Sequence, residues 1–253
     1  MRLICKLIIV YILTTNAVAR EKGQTEITTE DGVEVFQDEK YYLLKKNVTI
    51  ESDTFILKAD NVKINFEKSL YDIVSLNAEG NVIFESSEFD IKGKGEFLNF
   101  EVKIEDLKIK GENSELVTQD IEMYSDGFIK VNNFDGSFFL KGLNSKLISK
   151  NIFIEAEYID GVFSNNLDQK QINLLNVFDE EISYIKNKDT EMYAKKINFD
   201  NKTSIIELID KVTIIRNSEK IIGDYGTLDT KNNSYKIKSN KETKVKVIIQ
   251  NDE

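Results

Sequence analysis

The chain has 253 residues, a net charge of −10 and a hydrophobic fraction of 41%, which is enough for a large buried core and too apolar for a disordered chain. It contains no His, no Pro and no Trp, so mechanisms built on Ser-His-Asp or Cys-His pairs are excluded, as are His-ligated metals. The acidic balance disfavours sequence-independent nucleic-acid binding, which needs basic surface.

The first residues, "MRLICKLIIVYILTTNAVA", read as an export signal over 1–19. Arg2 and Lys6 form a positive start, Leu7 to Leu13 is a short apolar run, and Ala17 and Ala19 frame a small-x-small cleavage site before Arg20. The apolar run is far below the ~20 residues that a spanning helix needs. Cleavage would remove Cys5, the single cysteine, and take the net charge from −10 to −12. The exported chain would then hold no disulfide and no thiolate, which agrees with a periplasmic location.

After the signal the pattern is strand nearly throughout. "NVTIES" (Asn47 to Ser52), "EVKIEDLKIKG" (Glu101 to Gly111) and "KVTIIRN" (Lys211 to Asn217) alternate apolar and polar residues, as half-buried antiparallel strands do. Turn signals separate the runs: "EDG" at 30–32, "EGN" at 79–81, "SDG" at 125–127, "IDG" at 159–161 and "TKNNS" at 230–234. "LDQKQINLLNVFDEEISYI" (Leu167 to Ile185) is the one stretch that hints at a helix, and its short apolar runs favour strand.

The strands also repeat. "ADNVKINF" (Ala59 to Phe66), "GKGEFLNF" (Gly93 to Phe100) and "AEYIDGVF" (Ala156 to Phe163) each begin with a small residue and end in an aromatic. "GENSELVT", "GLNSKLIS" and "GDYGTLDT" are looser copies. A second element, "KNVTI", "GNVIF" and "DKVTI", reads as a turn followed by an alternating strand. Such units cannot bury an apolar face alone; stacked, they make a two-layered sheet with a continuous interior. The small residue suits a corner where a bend leaves no room for a large side chain. By alternation the interior candidates are Val48, Ile50, Val62, Ile64, Phe66, Val82, Phe84, either Phe97 or Phe100, Val212 and Ile214.

No sequence pattern marks an active site. "GKGEF" (Gly93 to Phe97) lacks the P-loop spacing and leads into a strand, the acidic runs lack the spacing of a Ca²⁺ loop, and no carboxylate pair stands out as hydrolytic. Neither a cofactor nor a metal is called for.

The repeats resemble the OstA/LptA family of periplasmic lipopolysaccharide transport proteins. The resemblance is carried by Ile27 to Glu67, by "IVSLNAEGNVIFESSEFDIKGKGEFLNFE" (Ile73 to Glu101) and by "SIIELIDKVTIIRNSEKIIGDYGTLDTKNNSYKI" (Ser204 to Ile237), about half of the exported chain. It implies an all-β, elongated antiparallel jellyroll of stacked strand repeats, open at both ends. It divides the chain into family-like repeats at 20–101, additional β repeats at 102–200 and family-like repeats at 201–253. It implies a non-enzymatic protein that shields the acyl chains of lipopolysaccharide in an apolar groove. Such a protein would bridge LptC-like inner-membrane and LptD-like outer-membrane partners by edge-strand pairing and stack head to tail with its own copies. Matched to the family, the lipid-contacting positions are Thr25 and Ile27, Phe84, and Phe100 and Val102. The rival readings are a membrane-anchored LptC-type component that keeps its N-terminal segment, a structural envelope β-solenoid that binds no lipid, and a polysaccharide-processing enzyme. The signal reading predicts an exported chain beginning at Arg20, and intact-mass measurement checks this. A mass retaining residues 1–19 would instead favour the anchored component.

Overall fold

The computed structural model describes residues 21–68, 72–150, 152–164, 171–240 and 243–249. The export signal at 1–19 and the start of the ambiguous stretch at 167–170 lie outside these residues. Eighteen strands follow in order: β1 (Glu26–Thr28), β2 (Val33–Phe36), β3 (Tyr41–Glu51), β4 (Phe55–Phe66), β5 (Ile73–Ser86), β6 (Ile91–Glu101), β7 (Asp106–Lys110), β8 (Ser114–Val117) and β9 (Ile121–Ser125). The second half comprises β10 (Phe128–Asn132), β11 (Ser137–Ser149), β12 (Ile152–Phe163), β13 (Ile172–Asn187), β14 (Thr190–Asp200), β15 (Ile205–Arg216), β16 (Glu219–Asp229), β17 (Ser234–Lys238) and β18 (Lys246–Ile249). The only helical turn among the described residues is the 3₁₀ turn Val102–Ile104. The described part of the ambiguous stretch is strand, as expected.

Each long strand is bent once near its middle and pairs antiparallel with its sequence neighbours on both sides of the bend. Four consecutive pairs of short strands (β1/β2, β7/β8, β9/β10 and β17/β18) behave as the two arms of one such strand, each arm pairing with a different arm of the same neighbour. The result is a ladder of fourteen rungs folded lengthwise along one crease. At ~4.8 Å per rung the ladder is roughly 60 Å long, against arms of about five residues or ~17 Å, so the molecule is elongated across its strands. The first layer holds the arms that pair with Tyr41–Lys45 and their successors; the second holds those that pair with Val48–Glu51. Among the described residues no arm of one layer pairs through its backbone with an arm of the other.

The bend is built from a register irregularity at the same level in successive strands. It falls between Lys45 and Val48, Glu79 and Val82, Phe178 and Ser183, and Ile209 and Val212. Folding the sheet leaves the same face inward on both arms, so a strand crosses the bend either in phase or through a bulge that shifts the phase locally. In β4 the buried residues are Leu57 and Ala59 on one arm and Val62, Ile64 and Phe66 on the other, a three-residue step made by such a bulge. In β5, from Ala78 to Val82, and in β15, from Leu208 to Val212, the step is four residues and the alternation stays in phase.

Three of these bends use two consecutive residues in the left-handed region: Lys46 (φ 64°) and Asn47 (50°), Gly80 (78°) and Asn81 (48°), and Asp210 (65°) and Lys211 (55°). This corrects the reading of "KNVTI", "GNVIF" and "DKVTI" as turns that start strands. They are bulges inside β3, β5 and β15. The type I′ hairpin turn also needs two residues at positive φ, so the same residue types serve both structures. "EGN" (79–81) and "IDG" (159–161) likewise lie within strands β5 and β12, whereas "TKNNS" does turn β16 into β17. Gly80 cannot carry a Cβ, which would fall 2.2 Å from Asp60 Oδ2; that carboxylate accepts from Asn81 Nδ2 at 2.9 Å.

Of the small residues that open the three clearest repeats, Ala59 and Ala156 sit at the corner, and Gly93 lies one inward position further from it, beyond Gly95. Ala59, Ala78, Ala156 and Ala194 are the last inward residues before the crease, and all are buried. Ser114, Ser125, Ser145 and Ser183 occupy equivalent places, and their hydroxyls donate to carbonyls at the bends: Gly111, Lys141, Gly142 and Lys195, at 2.7, 2.8, 2.9 and 3.2 Å. Buried carbonyls that lose their ladder partner are costly unless another donor is supplied. The layers meet through side chains, as beside the crease where Ile109 of the first layer lies against Gly93 and Gly95 of the second. Replacing Ala194 by Leu should overfill the crease and cost about 1–3 kcal/mol. Lys211→Gly should instead raise stability by up to about 1 kcal/mol through relief of left-handed strain, less glycine's entropy. Chemical denaturation of the two variants checks these opposite signs.

Candidate functional site: an apolar interior without end caps

Side-chain size differs between the two sides of the crease. Small residues such as Ala59, Ala156 and Ala194 lie on the second-layer side, and large aliphatics such as Leu98, Ile109 and Ile129 lie next to it on the first-layer side. Small residues facing large ones keep the packing dense where the layers converge. Aromatic rings gather at the free lips opposite the crease. At the lips Phe84 of the second layer faces Phe100 of the first, with ring centres 6.2 Å apart. Phe55 and Phe89 extend that cluster at 6.4 and 6.2 Å, and Tyr42 pairs with Phe66 at 5.0 Å. Since among the described residues no backbone pairing joins the lips, side-chain contacts hold them together.

The structure places most of the expected lipid-facing residues in this interior. Val48, Ile50, Ile64, Phe66, Phe84, Val212 and Ile214 are at most 5% exposed, and Ile27 and Phe100 pack against the same core. Val62 and Val82 are buried beside them. Of the pair left open by alternation, Phe100 is the inward one; Phe97 points outward and is 43% exposed. Two residues assigned from the family resemblance lie elsewhere. Thr25 is exposed ahead of β1, and Val102 sits in the 3₁₀ turn after β6, 37% exposed. Alternation ends at Glu101, so the parity that would have turned Val102 inward no longer applies.

Both ends of the ladder leave inward-facing apolar side chains bare. On the first rung Val33 lies opposite the buried Leu44, and Val35 opposite the core-packed Tyr42, yet they are 51% and 47% exposed. On the last rung Val247 lies opposite Ile221, and Ile249 shares its face; they are 56% and 62% exposed. Among the described residues β2 and β18 each have a neighbour on one side only. Stacked-repeat proteins usually close such ends with a polar outer face. Here the apolar interior runs to both terminal edges, and sequence alternation alone could not reveal this, because it says which face a residue takes and not whether a further rung covers it.

One polar contact spans the layers at the last rung. The Tyr235 hydroxyl of the first layer donates to Glu219 of the second at 3.0 Å. This bond, and then burial, holds the Tyr235 pKa above its ordinary value. Among the described residues no three metal-ligating side chains gather, and no helix is long and apolar enough to cross a membrane.

No protein-family model matches the chain. No curated protein matches it either. Among solved structures, one match is LptH of Pseudomonas aeruginosa, described as the LptA homologous periplasmic component of the conserved lipopolysaccharide transport device. It aligns at 14% identity and a TM-score of 0.44, over 53% of this chain and 96% of that one.

Because the folded pKa of Tyr235 lies above the unfolded one, its contribution to stability is fully present below about pH 10. It is lost as pH rises through the folded value. The difference in thermal midpoint between the native chain and Tyr235→Phe should therefore be constant up to about pH 10 and shrink above it.

Proposed function

We propose that this chain is a non-enzymatic carrier of lipopolysaccharide that holds acyl chains between its two layers and passes them along the ladder. The observation that carries the reading is the uncapped apolar interior, with Val33 and Val35 bare at one end and Val247 and Ile249 bare at the other. Two further features support it. The layers are joined through the backbone only at the crease, so the lips can part without breaking a strand pair. The lips are lined with rings, whose contacts an acyl chain can replace with others of the same kind.

The energetics favour such a route. Each buried CH₂ contributes ~0.8 kcal/mol, so an acyl chain of a dozen carbons costs on the order of 10 kcal/mol to expose to water. Movement between apolar contacts of similar quality is nearly level, and no chemistry is required of the protein. Direction is supplied by whatever loads and unloads the ends. The bare edges β2 and β18 accept additional strands, from a second copy or from related folded ladders on LptC-like and LptD-like partners at the inner and outer membranes. Location in the periplasm belongs to the same reading.

One observation favours a second reading. The interior residues named above are nearly all within a few per cent of full burial, as in a filled core. A structural rod in the envelope, joined through its edges and empty of lipid, would look the same. A photo-crosslinking residue at Phe84 or Phe100 separates the two. The carrier reading predicts capture of lipopolysaccharide in cells from both positions, and none from Ile83, which points outward from the second layer. Absence of capture at the interior positions while transport proceeds would leave the structural rod.

A further inference from the structure

Cross-strand register brings together residues that are far apart in the sequence on the outer side of the first layer. In the row next to the crease Phe97, Lys110, Phe128 and Lys141 occupy successive rungs. Tyr158, Phe178 and Lys196 continue the row. All seven point outward, since their neighbours toward the lips are buried. They form an unbroken run of rings and ammonium groups about 29 Å long, at ~4.8 Å per rung. The adjoining row adds Asn77, Asn99, Lys108 and Lys130.

Together the two rows hold nine lysines and four carboxylates, in a chain whose net charge is −10. Positive charge is therefore concentrated here against the overall balance. At one end of the run lies a cleft of about 550 Å³, where Lys63, Lys108 and Lys110 meet Asn61, Asn99 and the exposed ring of Phe97. None of these three lysines forms an ion pair among the described residues. Lys63 and Lys108 lie 4.0 and 4.1 Å from the ring centres of Tyr41 and Phe128, contacts that leave ammonium protons free to donate. Burial, and then Lys110 and Lys130, hold the Lys108 pKa below its ordinary value, against the opposing pull of Asp106; Glu79 is the one carboxylate that lines the cleft.

We propose that this outer face binds an acidic saccharide chain laid across the strands, anchored in the cleft by Lys63, Lys108 and Lys110. Amide side chains donate to and accept from hydroxyls, exposed rings cover the C–H faces of sugar units, and ammonium groups take the acidic substituents. The lysines of the run are separated by one or two aromatic rungs, roughly 10–15 Å apart. This suits a polymer whose charges are spaced by neutral units, rather than single-stranded nucleic acid with a charge at every nucleotide. The site is separate from the interior and does not depend on what the interior carries.

Isothermal titration of the exported chain tests the proposal with four probes: hyaluronan oligomers, in which charged and neutral sugars alternate, the acyl-free phosphorylated core oligosaccharide of lipopolysaccharide, neutral dextran oligomers and oligo(dT). The expected result is binding of at least one acidic saccharide and none of dextran. Binding of hyaluronan alone assigns a free polysaccharide, binding of the core oligosaccharide alone assigns a glycolipid head, and binding of both assigns acidic saccharides generally. Lys110→Gln with Lys141→Gln should weaken binding on the order of tenfold and flatten its salt dependence. The corresponding Lys→Arg pair should keep both. Phe97→Ala with Phe178→Ala should weaken binding with its salt dependence unchanged, and Lys92→Gln with Lys220→Gln, on the second layer, should have no effect. The proposal is overturned if neither acidic saccharide binds, if dextran binds as well, if oligo(dT) binds more tightly than either saccharide, or if the first-layer variants keep full affinity.

Discussion

The crease is the constraint on which the rest of the molecule depends. A strand of eleven to sixteen residues in a flat ladder would present half its side chains to water on each face. Folding each strand once, at the same level in every rung, turns one face of the ladder onto itself and encloses it. For that to work each strand must carry the same face inward through its bend, as β4 does with Leu57 and Ala59 before it and Val62 and Ile64 after it. The left-handed pairs Lys46–Asn47, Gly80–Asn81 and Asp210–Lys211, the alanines beside the crease and the serine hydroxyls that satisfy its carbonyls all serve that one geometry.

From the hinge follow both the filling of the interior and the nature of its openings. Where the walls converge, small residues of the second layer face large aliphatics of the first, and where they diverge rings fill the lips. The fold grows by adding rungs and has no inherent end, so without a dedicated cap the apolar interior is exposed wherever the ladder stops. Val33 and Val35 at one edge, and Val247 and Ile249 at the other, are that exposure. Edge strands with bare apolar side chains are normally a hazard. Under the proposed function, partners that continue the interior would cover them.

The strand content and the inward phase were legible because period-2 alternation records which residues face the core, and of the residues chosen on that basis or from the family resemblance all but Thr25, Val102 and the alternative Phe97 do pack there. Thr25 and Val102, both taken from the resemblance, fall outside where alternation has stopped. The bends read as hairpin turns because glycine and asparagine report a need for positive φ and not what surrounds it. The outer run was invisible for a different reason. Phe97, Phe128, Tyr158 and Phe178 occupy the polar phase of their strands, where one ring at a time looks incidental; only the cross-strand register lines them up.

The central claim is that the two layers part at the lips to admit acyl chains while the crease holds. Spin labels on Lys92→Cys and Glu101→Cys, in a Cys5→Ser background, sit near the lip ends of the two arms of β6 and measure that separation directly. The account predicts that the inter-label distance lengthens when lipopolysaccharide is added. A distance distribution that does not move at saturating lipopolysaccharide contradicts it.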